Sequence, residues 1–246
     1  MKQNLFALLW ACVGFWASAA MAGDTEVNLY TARHYQTDEA LYANFTKKTG
    51  IKVNRIEGKE DELLERIKNE GVNSPADIFI TVDASRLAKA DQLGVFVPVD
   101  SKTLQDRIPS NLRTPTWYAF STRARVMVYN KTDVSKELVQ TYEALASPAL
   151  KGKVCVRSGS HPYNISLGAA LIQHLGAAKT EEWARGLVAN FARAPKGGDT
   201  DQIKAVGAGE CGVALANTYY VARLLNSTKP DDMQLMEKVG IAWPDQ

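Results

Sequence analysis

Short apolar segments alternate along most of the chain with segments whose apolar residues recur every three or four positions. The first pattern predicts β-strands and the second predicts amphipathic α-helices. Strands are predicted at residues 27–30, 52–56, 76–80, 154–156 and 212–216, and helices at 37–49, 61–68, 85–92, 165–175, 180–191, 201–206 and 218–225. Glycine follows several of the helical patterns, as it often does at helix ends. This order of elements indicates an α/β fold built on parallel sheets.

The alternation breaks between Trp117 and Asn130, where an extended segment carries no helical pattern. We interpret this segment as a crossover between two lobes. The predicted division is an N-terminal lobe at residues 23–122, a C-terminal lobe at 123–226, and a segment at 227–246 that returns towards the first lobe.

The N-terminus has the three parts of a secretory signal peptide. Lys2 supplies the positive charge, residues 5–16 are apolar, and Ala20-Met21-Ala22 forms an A-x-A cleavage site. The apolar stretch is too short to span a bilayer. We therefore predict cleavage after Ala22 and export of a soluble protein.

Charge and composition exclude some partners. The chain has 29 Lys and Arg against 27 Asp and Glu, and no basic run is longer than a pair. Nothing in this pattern indicates nucleic-acid binding or an anionic membrane surface. Cys155 and Cys211 remain after the signal peptide, and each lies in a strand-like context. A disulfide and two buried thiols are both compatible with that placement.

Tyrosines occupy the loops after several predicted strands. In open parallel sheets, ligands bind at the carboxyl ends of the strands. Tyr35, beside His34, follows the first strand; Tyr163 follows the fourth; Tyr219 and Tyr220 begin the helix at 218–225. On a first helical turn both hydroxyls of this pair can lean towards one point, close to the positive end of the helix dipole.

Several phenols in one cleft favour a hard, highly charged cation as the ligand. A free phenol has a pKa of about 10 and is a poor acid or base at neutral pH, whereas a trivalent ion such as Fe³⁺ favours the phenolate. The alternative is that the tyrosines are cleft walls or core residues. Asp199 and Asp201 are interpreted as caps and first-turn charges of the following helix.

Residues 30–38 (YTARHYQTD), 76–84 (ADIFITVDA), 197–203 (GGDTDQI), 209–211 (GEC) and 216–220 (ANTYY) resemble the periplasmic ferric-ion-binding proteins of iron ABC importers. The similarity extends over essentially the whole chain after the signal peptide. It implies an α/β, bilobal type II periplasmic-binding-protein fold with two parallel-sheet lobes joined by extended crossover strands. Members of that family continue well beyond a motif like residues 240–246, so the resemblance implies that a C-terminal part of both lobes is missing here.

The resemblance also implies the site and the role. The Fe³⁺ ligands are expected to be Tyr35, Tyr163, Tyr219 and Tyr220, with His34 as a further candidate. Arg223, and one of Arg123 and Arg125, would balance the phenolate charge, and a synergistic anion is a further candidate component. The protein is expected to act as a periplasmic monomer that closes on Fe³⁺ and delivers it to an inner-membrane ABC permease.

Two other functions remain open at this point. A receptor of the same architecture for an oxyanion, a polyamine or a sugar would use the tyrosines as cleft walls. An enzyme has less support, because the chain has no G-x-S-x-G, H-E-x-x-H, Walker or G-x-G-x-x-G motif. The pair Ser160-His161 is the one feature that points towards catalysis, and we predict that the protein is not an enzyme.

Overall fold

The structure is a computed structural model that describes residues 25–33 and 35–244. The predicted signal peptide lies outside the described residues. The chain forms two compact units that divide after Ile80. The lobe boundaries predicted from the sequence stay predictions.

Strands and helices alternate in the first unit, whereas consecutive helices separate most strands of the second unit. The strands are β1 (Glu26–Thr31), β2 (Lys52–Glu57), β3 (Ile78–Ile80), β4 (Arg125–Asn130), β5 (Val154–Cys155), β6 (Val213–Asn217) and β7 (Val239–Ala242). The helices are α1 (Gln36–Thr49), α2 (Glu60–Glu70), α3 (Ala84–Gln92), α4 (Lys102–Arg107), α5 (Pro162–Leu175), α6 (Ala177–Ala189), α7 (Asp199–Ala208), α8 (Thr218–Leu225) and α9 (Pro230–Glu237).

The first unit is a parallel sheet with the strand order β2-β1-β3, as the alternating pattern predicts. Its buried apolar side chains come from the central strand, at Leu29 and Tyr30, and from one face of α2, at Leu63, Leu64 and Ile67. The predicted glycine stop of α1 is confirmed, because Gly50 adopts a left-handed conformation with φ of 75°.

The second unit holds a mixed sheet with the strand order β5-β6-β4-β7, so the prediction of a parallel sheet is wrong here. β5 and β6 are parallel, but β4 runs antiparallel to both β6 and β7. β4 is buried from Val126 to Asn130. A continuous apolar run of this kind predicts burial and gives no information on strand direction.

Helix α8 has the predicted bounds, whereas α4, α9 and β7 were not predicted. α4 has one apolar side chain, Leu104, in six residues, too few to show a helical period. α9 begins with Pro230, which is a common first residue of a helix and was the available signal.

A disulfide joins Cys155, at the end of β5, to Cys211, just before β6. Their Cα atoms are 5.9 Å apart, and the two residues are 0% and 2% exposed. Of the two arrangements that the sequence left open, the structure has the bridge. Among residues 25–33 and 35–244, no helix combines the length and apolar character that crossing a membrane requires.

Candidate functional site

The candidate site in the second unit lies at one edge of its mixed sheet. The carboxyl ends of β5 and β6 reach this edge because the two strands are parallel. The amino end of β4 reaches it because β4 is antiparallel to β6, which sets Arg125 opposite Asn217. The loop into α5 leaves from the same edge, and α8 begins there directly after β6.

Three of the predicted tyrosines meet there. Tyr163 lies in the first turn of α5 and is 6% exposed, while Tyr219 and Tyr220 lie half-buried in the first turn of α8. The hydroxyl oxygens of Tyr163 and Tyr219 are 2.9 Å apart, and the rings of Tyr219 and Tyr220 are 4.3 Å apart between centroids. The structure therefore gathers phenol oxygens that the sequence separates by 56 residues.

Guanidinium groups face these rings. The Cζ atoms of Arg123, Arg125 and Arg157 lie 5.0, 5.8 and 5.1 Å from the centroid of the Tyr163 ring. Arg223 lies 5.1 Å from the Tyr220 ring in the same way. Such contacts are attractive for the phenol and more so for a phenolate, because the cation meets a negative charge.

Other side chains hold the arginines in place. Arg123 donates to the Val82 carbonyl and pairs with Asp83 at 3.2 Å. Arg223 donates to Thr200 Oγ1 at 3.1 Å. These contacts fix cations beside the tyrosines before any ligand is present.

Asp199 lies in the first turn of α7, as expected from the sequence, but its carboxylate binds arginines instead of capping the helix. It is fully buried and pairs with both Arg125 and Arg157 at 3.1 Å. The cap is made by Asp201, whose Oδ2 accepts from the Gly198 backbone nitrogen at 2.7 Å. Burial lowers the pKa of Arg125, and the negative charge of Asp199 opposes that shift.

His161 forms the N-cap of α5. Its Nδ1 accepts from the Tyr163 backbone nitrogen at 3.2 Å, and its ring packs edge-on against the Tyr163 ring. Burial lowers the pKa of His161 to about 4, and the positive charge of Arg157 adds to the shift. At neutral pH the neutral imidazole therefore caps the helix.

We expect His161 to make the stability of the fold depend on pH. Its pKa falls from 6.5 to about 4 on folding, so its contribution is complete above about pH 6.5 and is lost as the pH falls towards 4. His161→Asn keeps a capping side chain but does not titrate. Urea unfolding between pH 7.5 and 4 should show a shallower loss of unfolding free energy for this variant. His174→Asn, at an exposed position on the same helix, is the matched control, and equal slopes for His161→Asn and the control would contradict the assignment.

Tyr35 lies in the first unit, at the N-cap position of α1. The Cζ atom of Arg33 is 4.9 Å from the centroid of its ring, and Arg33 makes two hydrogen bonds to Asp38, at 2.8 and 3.0 Å. A phenol faced by an anchored guanidinium thus recurs in this unit. His34 lies outside the described residues.

A pocket of about 460 Å³ lies beside α4, with Leu104, Arg107 and Phe120 in its wall, and none of the predicted ligands lines it. Within the described ranges, no three His, Cys, Asp or Glu side chains group so that they could hold a metal ion.

Sequence reasoning missed Arg157, Asp199 and Asn217 as parts of the tyrosine cluster. Arg157 and Asn217 stand at the carboxyl ends of β5 and β6. Ligands bind at these strand ends, and this principle, which located the tyrosines, applies equally to the two polar residues. Arg33, between β1 and Tyr35, has the same kind of position.

Several known proteins are similar to this chain over most of its length. A model of the family described as bacterial extracellular solute-binding protein matches residues 73–246. Iron uptake protein A1 of Synechocystis sp. is 54% identical over 223 residues, which are 90% of this chain and 62% of that protein. The Fe(3+)-binding periplasmic protein of Serratia marcescens is 31% identical over 210 residues, 85% of this chain and 61% of that protein.

Solved structures are similar to this chain in both sequence and fold. The Trichodesmium protein FutA (IdiA), in complex with iron and citrate, is 55% identical with a TM-score of 0.83, over 90% of this chain and 71% of that one. The ferric binding protein from Campylobacter jejuni is 43% identical with a TM-score of 0.85, over 89% and 71% of the two chains.

The chain thus spans 62% and 61% of the lengths of the two curated relatives described above. The predicted fold class, α/β of the type II periplasmic-binding-protein kind, is confirmed by the likeness to the solved structures. So is the resemblance to ferric-ion-binding proteins. By the family match and these identities, the chain belongs to the bacterial extracellular solute-binding proteins.

Proposed function

We propose that the protein is a periplasmic receptor that captures Fe³⁺ through tyrosine phenolates and delivers it to an inner-membrane ABC permease. The observation that carries this proposal is the 2.9 Å approach of the Tyr163 and Tyr219 hydroxyls, with Tyr220 stacked beside them. Relatives named for iron uptake and ferric-ion binding support the choice of metal.

The chemistry of the cluster favours a trivalent ion. Phenolate oxygen is a hard, anionic donor, and a bound cation of high charge stabilises the deprotonated form of its ligands. The guanidinium groups of Arg123, Arg125 and Arg157 place positive charge near the Tyr163 ring, which stabilises a phenolate there. A sugar or a polyamine would not require so many cations around one phenol, and a polyamine would be repelled by them.

The full proposed ligand set is Tyr35, Tyr163, Tyr219 and Tyr220, with His34 as a further ligand. Arg223, and one of Arg123 and Arg125, balance the phenolate charge, and a synergistic anion completes the coordination if a position stays open. Tyr35 is included because of the family resemblance and because Arg33 faces its ring in the first unit.

The remaining parts of the proposal concern context. We infer that the chain is exported, with its signal peptide cleaved after Ala22, and that it works as a monomer without catalytic activity. The match to the family described as bacterial extracellular solute-binding protein supports an exported binding protein.

A visible absorption titration tests the proposal. Ferric citrate added to the purified protein should produce a broad phenolate-to-iron charge-transfer band that saturates at one equivalent and disappears with excess chelator. Gallium citrate is a control of the same charge that gives no such band and should compete for the site. A folded protein that stays colourless, and that is stabilised against heat by an oxyanion, a polyamine or a sugar, would identify a receptor for that solute.

A further inference from the structure

Asp199 lies at the centre of a buried ionic cluster that joins three elements of the second unit. Its Oδ2 accepts from Arg125 Nη1 at 3.1 Å and from the Asn217 backbone nitrogen at 2.8 Å. Its Oδ1 accepts from Arg157 Nη1 at 3.1 Å. One carboxylate on α7 therefore fixes a side chain of β4, the loop after β5 and the end of β6.

Arg125, Arg157 and Asp199 together carry one net positive charge. Arg125 and Arg157 share the single carboxylate of Asp199, and their side chains are only 9% and 14% exposed. Arg123 does not change this balance, because it has its own partner in Asp83. A buried charge without a counter-charge destabilises the folded state. A negative charge close to these arginines would therefore be stabilising.

Hydrogen-bond donors in the same cluster also lack acceptors. The Nε atoms of Arg125 and Arg157 and the Nδ2 atom of Asn217 are buried without a hydrogen-bond partner. The two other guanidinium nitrogens of Arg125 donate hydrogen bonds to Asp199, Asn217 and Asn164. Buried donors of this kind are rare in folded proteins and require an explanation.

We propose that Asp199 is a positioning residue of the metal site, which holds Arg125 and Arg157 against Tyr163 so that one positive charge faces the bound ion. This inference rests on the function proposed above. Phenolate ligands bring negative charge to the ferric centre, and the excess positive charge that Asp199 leaves on Arg125 and Arg157 faces it at the Tyr163 ring. Asp199 thus sets both the direction and the amount of the charge that stabilises the ferric centre.

Asp199→Asn removes the carboxylate and keeps the shape of the side chain. Without the carboxylate, Arg125 and Arg157 lose their common anchor and repel one another. We expect ferric affinity, measured by competition with citrate, to fall about 10- to 100-fold, because neither guanidinium is then held against Tyr163. The charge-transfer maximum should also move, because the field at the Tyr163 phenolate changes. Asp201→Asn is the matched control, since Asp201 is an acidic residue of the same helical turn that caps Gly198 and does not contact the arginines. It should keep the wild-type band and affinity.

A charge cycle separates this role from a purely structural one. Arg157→Gln leaves the cluster neutral and should weaken ferric affinity, whereas Asp199→Asn combined with Arg157→Gln restores one positive charge. The double variant has lost more contacts, yet we expect it to bind ferric ion more tightly than Arg157→Gln alone and within about tenfold of wild type. Circular dichroism and thermal melting check that each variant is folded.

The outcomes are distinct. A wild-type protein without the charge-transfer band would overturn the proposed function, and this inference with it. A wild-type protein that shows the band, with a double variant equal to or weaker than Arg157→Gln, would overturn the inference alone. The comparison of Arg157→Gln with the double variant remains decisive even if Asp199→Asn does not fold.

Discussion

Replacement of both Tyr219 and Tyr220 by phenylalanine is expected to abolish the ferric charge-transfer band and to lower ferric affinity by at least about 10⁴-fold. Changes to residues that only orient metal ligands commonly cost 10- to 100-fold, and this variant removes the oxygens of two proposed ligands. The rings and their packing in the first turn of α8 remain. The loss would therefore come from the two oxygens.

The effect on folding should be small by comparison. Tyr219 loses its hydrogen bond with Tyr163, which is typically worth about 1 kcal/mol. Tyr220 keeps its apolar contact with the core beneath α8. Urea unfolding of the iron-free variant should thus show nearly wild-type stability, whereas stabilisation by added iron should disappear.

Tyr118→Phe is the control for this prediction. It also removes one phenol oxygen, which donates to the Val99 carbonyl at 2.8 Å and belongs to no part of the tyrosine cluster. The control should keep the band at full intensity. Iron affinity near the wild-type value in the Tyr219 and Tyr220 double variant would remove the phenolate site from consideration and favour another solute.

Local sequence patterns predicted the helices and strands well where the apolar residues of a segment follow a clear helical or strand period. α8 begins at Thr218 and ends at Leu225 as predicted, and α1 ends at the predicted glycine. The direction of β4 was not predictable in the same way, because pairing with β6 and β7 depends on residues far along the chain. An apolar run specifies burial, and the tertiary fold selects parallel or antiparallel pairing.

The same distinction applies to the candidate site. The tyrosines could be predicted because each follows a strand or begins a helix, which are local features. The part played by Asp199 could not, since its partners Arg125 and Arg157 are 74 and 42 residues away in sequence. From the sequence alone an aspartate at a helix start is read as a cap; burial and two arginines make it an ionic centre instead.

The disulfide between Cys155 and Cys211 is expected to contribute strongly to the free energy of unfolding. It closes a loop across a sequence separation of 56 residues, and the loss of chain entropy in the unfolded state predicts a stabilisation of about 4 kcal/mol. Both cysteines are buried in the core beneath the sheet. Alanine at both positions should therefore lower the free energy of unfolding by about that amount.

The bridge is also expected to affect the proposed metal site. β5 is a two-residue edge strand, and the disulfide ties its end to the segment that leads into β6. Arg157 follows Cys155 by two residues, so a loosened strand end would allow its guanidinium to move away from Tyr163. We expect the alanine variant to bind ferric ion more weakly as well as to unfold more easily.

Urea unfolding with and without reductant provides the measurement. The wild-type protein should lose about 4 kcal/mol when reduced, and the double alanine variant should be unchanged by reductant and resemble the reduced wild type. Thiol titration in denaturant without reductant gives an independent check, because Cys12 of the predicted signal peptide would be the one reactive thiol of the uncleaved chain. Two further free thiols, or equal stability of the oxidised wild type and the alanine variant, would show that the bridge does not form or does not stabilise the fold.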